Sequence, residues 1–251
     1  MRLLAGPSDG PVAVLLPGTA STGDFVRRAF GPALTAFGIG VVSGDPPRSG
    51  TVPERLAALD EAVHRFRPVL VGGVSIGAHL AVRWAAARQR DQWSDSHRPD
   101  GLLLAMPAWT GAPGAIAAAS GAAAVEVERD GVPATLRRIQ SGAGAWPDAR
   151  WVIDELAAAW PAYTAPELAA TLRATADSAG PSARELASVP LPCGVAALGD
   201  DPLHPVGVAR TWAAALPAAG LVETRHAVVG ADRASLGRAA LLGWLRARRT
   251  A

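Results

Sequence analysis

Short apolar runs alternate along this chain with longer stretches of helical spacing, and that alternation leaves few folds open. Val12 to Leu16 is apolar throughout and stops at Pro17-Gly18, while Ile39 to Val42 stops at Gly44-Asp45-Pro46-Pro47. Pro68 to Val71, Leu102 to Met106 and Gly194 to Leu198 supply further runs, and Leu221 to Arg225 reads as one more strand. A strand without a polar face is covered on both sides, as parallel strands inside a sheet are. Between the second and third runs Leu56, Leu59, Val63 and Phe66 recur at helical spacing, and Thr51 with Glu54 forms a capping box ahead of them. Helical patterns also follow the later runs, at Ala78 to Ala87, Pro205 to Leu216 and Asp232 to Arg246. Repeated strand-helix units of this kind specify an α/β fold with a doubly wound, mostly parallel sheet and right-handed crossovers.

The segment from Pro107 to Val189 breaks the rhythm, at about 80 residues where a crossover takes about a dozen. It reads as an inserted helical cap, with residues 1–106 and 190–251 forming the core and 107–189 the insertion. Gly131 to Gln140, Ala149 to Trp160 and Pro166 to Asp177 carry helical spacing inside it. Trp109, Trp146, Trp151 and Trp160 fall there with Tyr163, either packing the cap onto the core or lining an apolar pocket. At 251 residues and 49% hydrophobic, the chain has enough apolar mass for one large core with such an insertion.

Charge excludes a class of partner. The formal net charge is +2, and the arginines are scattered except for Arg246, Arg248 and Arg249, which is too little for a nucleic-acid footprint. Cys193 is the only cysteine, so no internal disulfide is possible, and a buried thiol in a reducing cytoplasm fits its place before an apolar run. The first apolar segment is broken at Gly6 to Gly10, unlike a signal peptide, and no run has the length of a membrane span. The expected setting is cytoplasmic, without membrane or nucleic-acid partners; the oligomeric state is open.

Chemistry concentrates at Gly73-Val74-Ser75-Ile76-Gly77, which an apolar run enters and a helical pattern leaves. A serine on a tight strand-to-helix turn takes a cramped backbone, and glycines two residues either side let strand and helix approach. The hydroxyl then stands clear of the sheet beside the N–H groups that open the helix. The alternative is a glycine-lined turn that only packs helix on sheet.

Together with Leu16-Pro17-Gly18-Thr19 and Asp200-Asp201-Pro202-Leu203-His204-Pro205, in that order along the chain, this motif resembles the α/β-hydrolase superfamily with an inserted cap. The resemblance implies Ser75 as nucleophile, the N–H groups of Thr19 and Ile76 as an oxyanion hole, and Asp201 rather than Asp200 as the acid. It implies a histidine after the last strand, where Val229-Gly230-Ala231-Asp232 holds none; His226, a few residues earlier, takes the role if the strand stops at Thr224. His204 is the alternative base or a helix cap, and His79 is a packed helix residue with a lesser claim on the site. His64 reads as solvated, and His97 lies in a polar loop without metal-ligand spacing. Asp45 to Gly50 resembles the superfamily's turn that supports the oxyanion loop, while Ser21, Thr22 and Asp24 are best read as caps of the next helix.

The implied activity is cofactor-independent and metal-free cleavage of an ester or thioester of a hydrophobic small molecule through an acyl-Ser75 intermediate, with Trp109 as the innermost pocket residue. Two other readings stay open: a cyclase or lyase on the same fold, favoured by the displaced histidine, and a protein that binds a hydrophobic small molecule without chemistry.

Overall fold

The computed structural model describes residues 1–45, 50–90, 98–142 and 147–249, and among these seven strands form one sheet. They are β1 (Arg2–Ala5), β2 (Val12–Leu16), β3 (Gly40–Ser43), β4 (Leu70–Val74), β5 (Gly101–Ala105), β6 (Cys193–Leu198) and β7 (Ala219–Thr224). Their order across the sheet is β1-β3-β2-β4-β5-β6-β7. Every pairing is parallel except that of β1 with β3. In register, Leu16 lies beside Gly73 and Val74 beside Ala105, with Ala105 in turn beside Ala196. The carboxyl ends of β2, β4, β5 and β6 therefore open on one edge, where an open α/β sheet places its ligand site.

Helices cover both faces, as the apolar strands require. On one side α2 (Val52–Phe66), α3 (Ile76–Arg90) and α9 (Val206–Ala215) pack Leu59, Leu80 and Trp212 onto Val14, Val71, Leu104 and Val195. On the other, α1 (Gly23–Thr35) and α11 (Ala234–Ala247) pack Phe30, Leu34, Leu236 and Trp244 onto Leu15, Val41, Leu103 and Ala196. Glycines set the closeness of α11: a Cβ on Gly194 or Gly220 would collide with the backbone of Ala240 or Gly243. Cys193 is fully buried, as its sequence position suggests, and burial pushes its thiol up.

Among the described residues five α-helices stand between β5 and β6: α4 (Ala115–Asp130), α5 (Val132–Gly142), α6 (Arg150–Ala159), α7 (Ala165–Ala176) and the short α8 (Ala183–Ala187). Ala124, Val127, Leu136, Trp160, Leu168 and Leu172 give α4, α5 and α7 a core of their own, which Ala20 from the turn after β2 also joins. Trp151 instead enters the main core, stacked on Phe25 at 6.0 Å. Arg28 of α1 forks onto Glu155 of α6 at 2.7 and 2.6 Å, which fastens the inserted segment to the core helix.

Two local expectations hold in detail. Thr51 and Glu54 make the reciprocal capping box of α2, and the Thr22 hydroxyl accepts from the Phe25 N–H at the start of α1. Strand β1 departs from the sequence reading, which assigned no strand there: it is a four-residue antiparallel edge strand in which Leu3, Leu4 and Ala5 are half-buried. Pro46, Pro47, Arg48 and Ser49 of the proline-rich turn, His97 and Trp146 lie outside the described residues. Asp45 is described, and its carboxylate accepts the Gly23 N–H at 2.9 Å, tying that turn to the start of α1. Among the described residues no helix is long and apolar enough to cross a membrane.

Candidate active site

Ser75 is the single residue between β4 and α3, and its φ of 54° is in the left-handed region that side chains avoid. Holding a non-glycine residue there costs about 1–2 kcal/mol. The cost is met by anchoring: the Ser75 N–H donates to the Ala105 carbonyl at 2.9 Å, and its own carbonyl accepts from Ala78 and His79. The flanking glycines are required by space, since a Cβ on Gly73 or on Gly77 would lie 2.5 Å from the Leu16 carbonyl oxygen. Strand β2 thus packs directly against the turn, and the Ser75 side chain is left partly open to solvent.

The loop after β6 brings two groups to that hydroxyl. Asp201 is buried, and its Oδ1 accepts from the N–H groups of Leu203 and His204 at 2.8 and 3.0 Å, a tight turn that points the His204 ring back over the carboxylate. His204 Nδ1 is 3.0 Å from Asp201 Oδ2, and His204 Nε2 is 3.0 Å from Ser75 Oγ. An ionised carboxylate only accepts, so Nδ1 carries the proton and Nε2 presents a lone pair to the serine hydroxyl. Burial works to raise the Asp201 carboxyl, but the hydrogen bonds from His204 and the nearby His226 imidazole outweigh it and hold the group well below the usual carboxylate range.

The histidine expected at Ser75 was His226, and the structure puts His204 there instead. Strand β7 does stop at Thr224, but His226 then opens the short helix α10 (His226–Ala231), with its N–H donating to Asp200 Oδ1 at 2.9 Å. That start turns the ring toward the far side of the carboxylate: His226 Nε2 is 3.6 Å from Asp201 Oδ2, and the ring lies 5.8 Å from Trp151. Its Nδ1 is buried without a hydrogen-bond partner. Asp201 thus faces two imidazoles, of which His204 reaches the serine. The sequence signal for this is the three-residue step from Asp201 to His204, which a turn on the carboxylate closes.

Of the two residues read from the sequence as oxyanion donors, Ile76 follows Ser75 directly in the chain and Thr19 follows Gly18 in the turn after β2. Ile76 is the first residue of α3, so its N–H lies outside the helix's own hydrogen-bond ladder. Thr19 sits in a turn closed by the Ser21 N–H on the Gly18 carbonyl, with Ala20 at a φ of 48°. A Cβ on Gly18 would lie 3.7 Å from that of Ser75, so the turn abuts the serine. The Thr19 hydroxyl is 2.8 Å from that of Thr175 on α7, a contact the sequence does not announce.

Trp109 lies beside the elbow but is 3% exposed, clustered with Ile76, Ala108 and Ala117 and set edge-on to His79 at 4.6 Å. A Cβ on Gly180 would lie 2.6 Å from its ring, so the indole is enclosed by packing. His79 is equally buried; its Nε2 accepts from the Ala108 N–H at 3.1 Å and the Trp109 N–H at 3.4 Å, which makes it a neutral peg under the β5–α4 loop. A surface groove lined by Arg27, Arg28, Pro32, Asp232 and Arg233 shares no residue with the site. No cluster of three or more His, Cys, Asp or Glu side chains suited to a metal occurs among the described residues.

No protein-family model matches the sequence, and a search of curated proteins finds no match. Solved structures do match. An enol-lactonase from Burkholderia xenovorans superposes with a TM-score of 0.70 at 15% identity, over 91% of this chain and 89% of that one. A hydrolase from Pseudomonas aeruginosa gives 0.69 at 20% identity, over 97% and 92%. A thermophilic esterase from Thermogutta terrifontis gives 0.65 at 18% identity, over 96% and 91%. The seven-stranded sheet, the strained serine turn between β4 and α3 and these superpositions agree: the chain has the α/β-hydrolase fold.

Proposed function

We propose that this protein is a serine hydrolase that cleaves an ester or thioester through an acyl-Ser75 intermediate, with His204 as general base and Asp201 as its partner. The observation that carries the reading is the continuous line from Ser75 Oγ to His204 Nε2 and from His204 Nδ1 to Asp201 Oδ2, each step 3.0 Å. In the acylation step Ser75 Oγ attacks the acyl carbon while its proton passes to His204 Nε2, and the carbonyl oxygen takes the negative charge toward the N–H groups of Thr19 and Ile76. The proton then leaves His204 for the departing alcohol or thiol as the carbon-oxygen or carbon-sulfur bond breaks. Water repeats the sequence on the acyl-enzyme and frees the acid, with Asp201 ionised throughout.

The acyl group proposed is hydrophobic, although the apolar side chains nearest the elbow, Ile76, Ala108, Trp109 and Ala117, are themselves enclosed by packing, and Ala20 belongs to the buried core of the inserted helices with Trp160 and Leu168. Lactonase, hydrolase and esterase structures of the same fold agree in reaction class. The cyclase or lyase reading rested on a histidine out of place, and His204 beside Ser75 removes that motive.

The reading is tested with a fluorophosphonate probe and p-nitrophenyl acyl esters. The probe is expected to modify Ser75 alone among the serines, and Ser75→Ala is expected to abolish both labelling and ester turnover with little change in stability. Ester turnover that survives Ser75→Ala contradicts the acyl-enzyme.

A further inference from the structure

Arg55 is a buried cation without an anion. It is 2% exposed, its Nη2 donates to the Pro17 carbonyl at 2.8 Å, and its Nε is buried with no partner. Among the described residues no carboxylate pairs with it. Burial pushes the guanidinium down to about 10, opposed only by the nearby Tyr163, so it remains charged at neutral pH. It also lies in the first turn of α2, where the helix's own N–H dipoles disfavour positive charge. Burial, lack of an ion pair and helix position all oppose stability, and an uncompensated buried charge is the arrangement folded chains avoid most. Such a local violation marks a residue held for something other than stability.

What it touches identifies the purpose. Pro17 ends the approach of β2 to the turn that carries Thr19. The Pro17 carbonyl oxygen lies 2.9 Å from where a Cβ on Gly77 would stand, and the next residue, Gly18, abuts Ser75. The guanidinium therefore sits directly behind the peptide that separates the nucleophile from the Thr19 turn.

We propose, on the basis of the serine-hydrolase reading above, that Arg55 is a positioning residue for oxyanion formation: it fixes the Gly18-Thr19 turn through the Pro17 carbonyl, and its unpaired charge stabilises negative charge developing on the acyl oxygen. In a water-poor interior a fixed charge acts without reorganising, the condition under which such groups assist most.

The test uses Arg55→Met, which keeps an unbranched apolar stem and removes the guanidinium with its charge, and Arg55→Lys, which keeps the charge. Fluorophosphonate labelling is followed as a function of probe concentration, alongside thermal unfolding. Wild-type protein must label at Ser75, and its failure to do so counts against the serine-hydrolase reading itself. Given labelling, Arg55→Met is expected to unfold at the wild-type temperature or above, because a buried unpaired charge has been replaced by a hydrophobe. Its maximal phosphonylation rate is expected to fall about 10- to 100-fold, below the loss seen for a direct oxyanion donor, with the half-saturating probe concentration changed by less than about twofold. Arg55→Lys is expected to recover most of that rate. A wild-type rate in Arg55→Met overturns the proposal. A Met variant that unfolds early or fails to fold, or a Lys variant no faster than Met, also overturns it and makes Arg55 a structural peg.

Discussion

Three histidines near the site differ in what surrounds them, and the differences are testable. His79 accepts two backbone N–H groups, and burial, with smaller contributions from His204 and Arg83, pushes it from the ordinary 6.5 to about 3. Above pH 6.5 neither folded nor unfolded chain protonates this ring, so it adds no pH dependence. Below 6.5 the unfolded chain takes up a proton that the folded one refuses down to about 3, and stability falls with acidity across that window. The slope from this group approaches about 1.4 kcal/mol per pH unit. Glutamine can accept the same N–H groups without titrating, so the stability of His79→Gln, from urea unfolding at pH 7 and pH 5, is expected to fall less on acidification than that of the wild type. Parallel losses in the two proteins count against a neutral, buried His79. His226 and His204 show what sequence alone leaves open at this scale. The end of β7 at Thr224 was the condition set for His226, and it is met. Yet the helix that starts at His226 aims its ring at Asp201, a direction that no residue spacing encodes. His204 reaches Ser75 because the Asp201 carboxylate folds the loop through two backbone N–H groups.

Among the elements, legibility followed contrast. The strands β2, β3, β4, β5 and β6 are fully buried and read as apolar runs, shifted by a residue or less at the ends except for β4, which starts two residues and stops three residues later than the run Pro68 to Val71. Strand β7 is the far edge, half-covered, and was legible mainly from the helix patterns around it. Helix α4 gives no such contrast: Ala117 and Ala124 are buried while Ala118, Ala119 and Ala122 are exposed, so alanine marks both faces and the helical period disappears. The same limit applies to Trp109. Its position after β5 points to the ligand edge, but the number of neighbours enclosing it comes from α4, from the elbow helix and from Gly180 far along the chain. Trp109→Ala is therefore expected to lose about 3–5 kcal/mol of stability in urea unfolding, the range for emptying a buried aromatic site. A loss below about 1 kcal/mol accompanied by altered acyl selectivity shows instead that the indole lines an open pocket.

For the whole molecule, the parallel sheet is the organising cause. Its register aligns the ends of β2, β4 and β6, so that residues more than a hundred positions apart in sequence, Ser75 and His204, meet at one edge. Strand-helix alternation made that edge legible without a structure, because it demands parallel strands and parallel strands share a carboxyl end. The inserted helices were legible as an interruption, but their anchorage was not: the Thr19–Thr175 contact, the Arg28–Glu155 fork and Arg233 on Glu155 each join side chains from distant segments. The account as a whole stands on the line from Ser75 through His204 to Asp201. The most direct measurement compares the rates at which a fluorophosphonate modifies Ser75 in His204→Ala and His226→Ala, each shown by circular dichroism to be folded. The account predicts a loss of at least about a thousandfold in His204→Ala and less than about tenfold in His226→Ala. A thousandfold loss in His226→Ala beside near-wild-type labelling in His204→Ala contradicts it.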